Sequence, residues 1–214
     1  MMKHSETNLR NIIFDLGGVL IDLDISRTGS AFSALGISEP SNETEILSRS
    51  AIYSGLETGE VSPRDFRNAI RDISTDVLPD TAIDNAWNAM LLDFPATRKD
   101  LLLQLGKNYR LFLLSNSNVI HYQFYTERFR RAYGFEMDSL FEKAYYSFEM
   151  HLHKPEQDIF LKLLADSSLH ANKTLFIDDS LENIKTAATL GFTVHQIVNG
   201  EDVTHLFTDG IWVG

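Results

Sequence analysis

Four stretches of the chain are apolar with no alternation: residues 12–14 (IIF), 111–114 (LFLL), 144–146 (AYY) and 175–177 (LFI). A strand with one face in water alternates polar and apolar side chains, so an unbroken apolar run belongs to a strand covered on both faces. Sheets covered on both faces are built from parallel strands with helices between them. A fifth run, residues 192–198, fits the same class. Helical patterns lie between the runs. Ile159, Phe160, Leu163 and Leu164 follow Pro155, which suits a helix's first turn; Leu181, Ile184 and Ala188 form a stripe stopped by Gly191; Leu101, Leu102 and Leu105 form another, closed by Gly106. The alternation predicts an α/β fold with a doubly wound parallel sheet.

Residues 15–110 separate the first run from the second, far more than a simple crossover needs. Most of that stretch has a helical pattern. Ser62-Pro63-Arg64-Asp65 reads as a capping box with proline at the first helical position. Phe66, Ala69, Ile70 and Ile73 follow at i, i+3, i+4, i+7, and Trp87, Met90 and Leu91 mark a further helix after Pro79-Asp80. The chain therefore divides into a core of residues 1–21 and 95–214 and a helical cap of residues 22–94, inserted at the exit of the first strand.

In an open parallel sheet, ligands bind outside the carboxyl ends of the strands. The residues that follow the apolar runs are Asp15, then Ser115-Asn116, then Ser147 with Lys154 in the next loop, then Asp178-Asp179. Taken singly, each has a plain alternative as a helix cap or a solvated charge. Taken in order, they put three carboxylates, a hydroxyl and a lysine on one edge. Crowded carboxylates repel one another unless a cation joins them, and hard oxygen donors select Mg²⁺. A free oxygen of Asp15 is then placed to attack phosphorus, with Lys154 and the Ser115 hydroxyl neutralising the transferring group.

The remaining composition narrows the partners. With 19 basic and 30 acidic residues the net charge is -11, which repels phosphate backbones and argues against nucleic acid. A small phosphorylated metabolite is compatible, because a metal or one lysine reverses the field locally. The absence of cysteine excludes disulfides, thiol catalysis and Cys-ligated zinc. The N-terminal residues are polar, and no apolar run is long enough to span a bilayer. A cytoplasmic protein, a monomer or weak homodimer, is expected.

The four motifs FDLGGVL, LFLLSNSN, HKPEQDIF and LFIDDSLENI, in this order and over nearly the whole length, resemble those of the haloacid dehalogenase superfamily. The likeness is to its phosphatase-like branch with a helical cap after the first strand. It implies a Rossmann-like core and a cap that closes over a small phosphorylated metabolite. It also implies Asp15 as nucleophile, Ser115 and Lys154 as phosphate-binding groups, and Asn116 and Asn118 beside the phosphate through backbone or side chain. Mg²⁺ is then held by Asp15, the carbonyl of Gly17 and Asp179, with Asp178 acting through water. The nearest motif likeness is to the sugar-phosphate phosphatases of this branch.

Two positions depart from the family pattern. Family phosphatases usually carry an acid two residues after the nucleophile, where this chain has Gly17. General acid–base help of that kind is worth roughly 10²–10⁴ in rate. Asp22 or Asp24 are the substitutes within reach along the chain. His151 stands where the family usually has glycine and reads as a tolerated loop residue; His151 and His153 lack a third metal ligand nearby. In the insertion, Arg27, Arg49, Tyr53 and Trp87 are candidates for a pocket lining, with core packing and solvation as the alternatives. Two other functions compete: a 2-haloacid dehalogenase acting through an ester at Asp15, which needs no metal, and a non-catalytic phosphometabolite-binding protein that lost its acid at position 17.

Overall fold

In the computed structural model, which describes residues 9–37, 43–198 and 200–214, the apolar runs are strands of one sheet. They are β1 (Asn11–Phe14), β2 (Arg110–Ser115), β3 (Lys143–Tyr146), β4 (Thr174–Asp178) and β5 (Thr193–Gln196), in the order β3-β2-β1-β4-β5 and all parallel. The lack of alternation has a direct structural cause. Ile12, Phe14, Leu111, Leu113, Leu175 and Ile177 bury themselves on one face, while Ile13, Phe112, Leu114 and Phe176 do so on the other. The polar N-terminal residues 1–8 lie outside the described residues.

Of the five helices between β1 and β2, the first four fall within residues 22–94: α1 (Ile25–Ala34), α2 (Glu43–Glu57), α3 (Pro63–Asp72) and α4 (Asp80–Asn88). Ser62 caps α3 as its capping box predicts, accepting from the Asp65 amide at 3.1 Å. Phe32, Leu56, Phe66, Ile70, Ile83 and Trp87 form a separate apolar cluster for these helices. Met90 and Leu91 are not helical; α4 ends at Asn88 and the chain returns alongside its own exit. Leu23 bridges Leu91 antiparallel, and Asp24 donates its amide to the Met90 carbonyl at 2.9 Å.

The remaining helices are α5 (Ala96–Leu105), α6 (Val119–Tyr133), α7 (Ser147–Met150), α8 (Gln157–Asp166) and α9 (Leu181–Thr189), with a short hairpin of β6 (Phe207–Thr208) and β7 (Ile211–Trp212) at the end. α5 packs Leu101, Leu102 and Leu105 inward and stops at Gly106 as its pattern predicts. Two expectations shift. Pro155 precedes α8, whose cap is Glu156, rather than opening its first turn. The buried face of α9 is Asn183, Ile184 and Ala187; Leu181 and Ala188 point to solvent.

Candidate active site

Parallel register carries the strand ends to one edge. Phe14 is level with Leu113 and with Ile177, so the next residue of β1, Asp15, emerges between the ends of β2 and β4. The Asp15 amide completes the ladder by donating to the Ile177 carbonyl at 2.9 Å. Lys154, from the loop after α7, reaches the same point. Its Nζ donates to Asp15 Oδ1 at 2.6 Å, to Asp178 Oδ2 at 2.7 Å and to the Leu114 carbonyl at 2.9 Å. All three donors of the ammonium are thus satisfied, as a buried charge requires. Asp178 is fully enclosed and further held by the Ser180 amide at 2.8 Å and by the Asn183 carboxamide at 3.0 Å.

One oxygen from each of Asp15, Asp178 and Asp179 lies within 4.8 Å of the others. Three carboxylates face a single ammonium here, which leaves negative charge unmatched. Burial pushes the Asp15 carboxyl up to about 7; the Lys154 ammonium opposes this, and the charges of Asp178 and Asp179 reinforce it. Asp179 is raised as well, by burial and by Asp178. Lys154 is held above its ordinary value: burial works against its charge, and the two carboxylates overcome it. Surplus negative charge on hard oxygen donors in a small space is the donor set a divalent cation such as Mg²⁺ takes.

The turn after Asp15 is shaped around that cluster. Gly18 has φ +73°, and a Cβ there would stand 2.4 Å from Asp179 Oδ2, so glycine alone fits. Position 17 is filled differently. A Cβ on Gly17 would lie 2.8 Å from Leu23 Cδ1, so the paired linker already occupies the space of a side chain. The Gly17 carbonyl accepts no hydrogen bond among the described residues.

The second motif is held by side chains that couple loops. Asn116 Nδ2 donates to the Lys154 carbonyl at 2.8 Å, and the Lys154 amide donates back to Asn116 Oδ1 at 2.9 Å. That side chain is therefore engaged in joining two loops, which leaves its backbone to face a ligand. Asn118 caps α6, accepting from the Ile120 and His121 amides at 3.1 and 3.0 Å, while its buried Nδ2 has no partner among the described residues. Ser115 is buried at the end of β2, its hydroxyl 3.4 Å from the Asn116 carbonyl.

Neither substitute acid is free. Asp24 caps α1, accepting from the Ser26 amide at 3.2 Å and from Arg27 Nε at 3.2 Å. Asp22 Oδ1 lies 2.8 Å from Nη1 of Arg98, a buried arginine that also holds Asp202. His151 adopts φ 55°, which accounts for the family's glycine, and its ring Nδ1 lies 2.8 Å from the Thr58 carbonyl. Arg49, Tyr53 and Trp87 do line a cavity, of about 910 Å³, whereas Arg27 is spent on Asp24. Residue patterns alone did not single out His121. It is buried with its ring stacked 5.0 Å from Trp87 and its Nδ1 2.7 Å from Asn88 Oδ1, joining α6 to α4. Its spacing three residues after the cap Asn118 is the available signal.

Residues 9–191 match the family model described as haloacid dehalogenase-like hydrolase. The chain belongs to that family. A curated family relative is D-ribitol-5-phosphate phosphatase of Bacteroides thetaiotaomicron, 30% identical over 194 residues, 91% of this chain and 94% of the relative. A haloacid dehalogenase family enzyme of the same organism, solved in complex with magnesium and inorganic phosphate, superposes with a TM-score of 0.86 at 38% identity, covering 94% of this chain and 100% of that one. A predicted HAD-like hydrolase of Porphyromonas gingivalis superposes at 0.80 with 37% identity, over 90% of this chain and 93% of that one. The haloacid dehalogenase-like sheet explains why the four motifs meet: each is the C-terminal exit of one of its parallel strands, or the loop that follows.

Proposed function

We propose that the protein is a Mg²⁺-dependent phosphatase that releases phosphate from a small polyol or sugar phosphate through a phospho-aspartate at Asp15. The observation that carries this reading is the buried Lys154 joined to both Asp15 and Asp178, beside a surplus of carboxylate oxygens. A dehalogenase ester at Asp15 needs no such surplus. A protein that only bound its ligand would have no use for a carboxylate and a lysine buried against each other at this cost. The phosphatase activity of the Bacteroides relative and the magnesium and phosphate in its fold neighbour support the same reading.

In this account Asp15, Asp178, Asp179 and the Gly17 carbonyl hold Mg²⁺, with Asp178 acting through water. Held there, Mg²⁺ would supply the positive charge that lets a phosphate dianion enter a negative site. Lys154 fixes the Asp15 oxygen it touches, so the other oxygen faces phosphorus. Ser115, the backbone of Asn116 and the unpartnered Nδ2 of Asn118 surround the equatorial oxygens, where positioned donors supply most of the stabilisation. Residues 22–94 act as a cap whose paired linkers, at Leu23 and Leu91, open and close over the sheet edge. The cavity lined by Tyr53 and Trp87 then takes the alcohol portion of the substrate. A cytoplasmic monomer or weak dimer, acting without nucleic acid or membrane, fits the net charge of -11; among the described residues no helix is long and apolar enough to cross a membrane.

The test is phosphate release from a panel of polyol, sugar and nucleoside phosphates, with Mg²⁺ and with EDTA. Polyol and sugar phosphates should be turned over, and only with the metal. Turnover undiminished by EDTA, or confined to nucleotides, would contradict the assignment.

A further inference from the structure

Leu23 fills the space at position 17, and Asp22 and Asp24, the next acids along the chain from Asp15, are held by arginines, so the proton that the departing alcohol needs is sought elsewhere among the described residues. We infer that Glu57, at the C-terminal end of α2, is the acid–base residue of the reaction.

Several contacts fix the main chain at Glu57 beside the site. Ser147 Oγ donates to the Glu57 carbonyl at 2.6 Å. The same oxygen receives the Ser117 amide at 2.9 Å and lies 3.0 Å from the Ser117 carbonyl, inside the second motif. One residue on, the Thr58 carbonyl meets His151 Nδ1 at 2.8 Å. At Gly59 a Cβ would stand 2.4 Å from the Phe148 carbonyl, so the turn lies directly on α7, the short helix that follows β3. The end of α2 is thereby wedged between the phosphate-facing loop at residues 115–118 and the loop that carries Lys154. Its carboxyl is partly buried and makes no hydrogen bond among the described residues, unlike the acids committed to arginines. The titratable side chain set against it among the described residues is His153, whose ring is shared with Glu156 at 3.3 Å and the Lys154 carbonyl at 3.0 Å. Burial raises the Glu57 carboxyl, with His153 opposing, which favours the protonated form a general acid must start in.

The steps balance. As the bond from Asp15 Oδ to phosphorus forms and the ester P–O bond breaks, Glu57 gives its proton to the leaving oxygen, releasing an alcohol. The Glu57 carboxylate then takes a proton from the water whose oxygen displaces Asp15 from phosphorus. This restores both carboxyl groups and frees inorganic phosphate. The assignment rests on the phosphatase reading, and the experiment separates the two.

Wild type and Glu57→Gln are compared in rapid-mixing assays with Mg²⁺, using p-nitrophenyl phosphate, whose leaving group needs no proton, and an alkyl phosphate, whose leaving group does. Wild type turning over both substrates establishes the phosphatase reading independently. In Glu57→Gln the first-turnover rate should fall roughly 10²–10⁴-fold with the alkyl phosphate. The p-nitrophenol burst should stay within about threefold of wild type and be followed by slow turnover, as phosphoenzyme accumulates without a base. First-turnover rates that fall equally with both substrates, or with neither, would overturn the role. Should the glutamine variant lose Mg²⁺-dependent binding of inorganic phosphate, Glu57→Asp decides. A selective, partial loss on the alkyl phosphate supports the role, and a uniform loss or none refutes it.

Discussion

The floor and the roof of the site are built on different principles. On the floor, Lys154, Asp15 and Asp178 form a closed set of short contacts on strand ends, with every ammonium proton used. In the roof, α2, the residue after it and α4 meet the core through a few polar contacts, one ring stack and the apolar packing of Val119 and Ile120: Ser147 with Glu57, His151 with Thr58, His121 with Asn88 and Trp87. The floor has no slack for charge to move, whereas the roof touches the core at points that part without leaving buried ions behind. In the proposed reaction the difference separates the tasks: a rigid electrostatic base holds phosphate, and a separately fastened cover admits the alcohol portion and supplies the proton.

That contrast breaks most sharply at Lys154. Lys154→Ala leaves Asp15 and Asp178 buried and facing each other with no counter-charge. Removing one partner of a buried pair typically costs about 3–5 kcal/mol, and the loss of a phosphate-facing cation adds ~10²–10³ in rate. Denaturant unfolding should show that loss without metal and a partial recovery as Mg²⁺ is added, since the cation offsets the same repulsion. A Lys154→Ala protein as stable as wild type without metal would remove the distinction between floor and roof.

A smaller effect is expected above. Burial pushes the His121 imidazole down to about 3 from an ordinary 6.5. Unfolded chain therefore binds a proton that the folded one refuses, and this contribution to stability, present above pH 6.5, is lost as pH falls towards 3. Each unit in that window is worth about 1.4 kcal/mol. Between pH 7 and pH 5, wild type should lose roughly 2 kcal/mol more stability than His121→Asn, measured by urea unfolding. Equal slopes would mean the ring is already solvated and the roof looser than drawn.

The same contrast explains how far the sequence could be read. The floor comes from residues that directly follow apolar runs, so Asp15, Ser115, Asp178 and Asp179 are placed by the strand period and the parallel sheet. Lys154 follows at the next loop. The roof depends on residues far apart in sequence, such as Ser147 against Glu57 and His121 against Asn88, whose meeting is a property of helix packing. Nothing in a helical period tells which turn of α2 will rest on the second motif. The acid sought at Asp22 and Asp24 failed for a related reason. Proximity along the chain to Asp15 was legible, but Arg27 and the buried Arg98, which claim those two carboxylates, were not. Gly17 was legible as a missing side chain; that Leu23 takes its space was visible only in the folded linker.

The central claim is that Asp15 carries the phosphoryl group. Rapid acid quench of the enzyme turning over a polyol phosphate with Mg²⁺, followed by peptide mapping, tests it directly. Phosphate should be found on the peptide containing Asp15, and Asp15→Asn should show neither that adduct nor phosphate release. Full turnover with no phosphate on Asp15, or phosphate release by Asp15→Asn at the wild-type rate, would contradict the account.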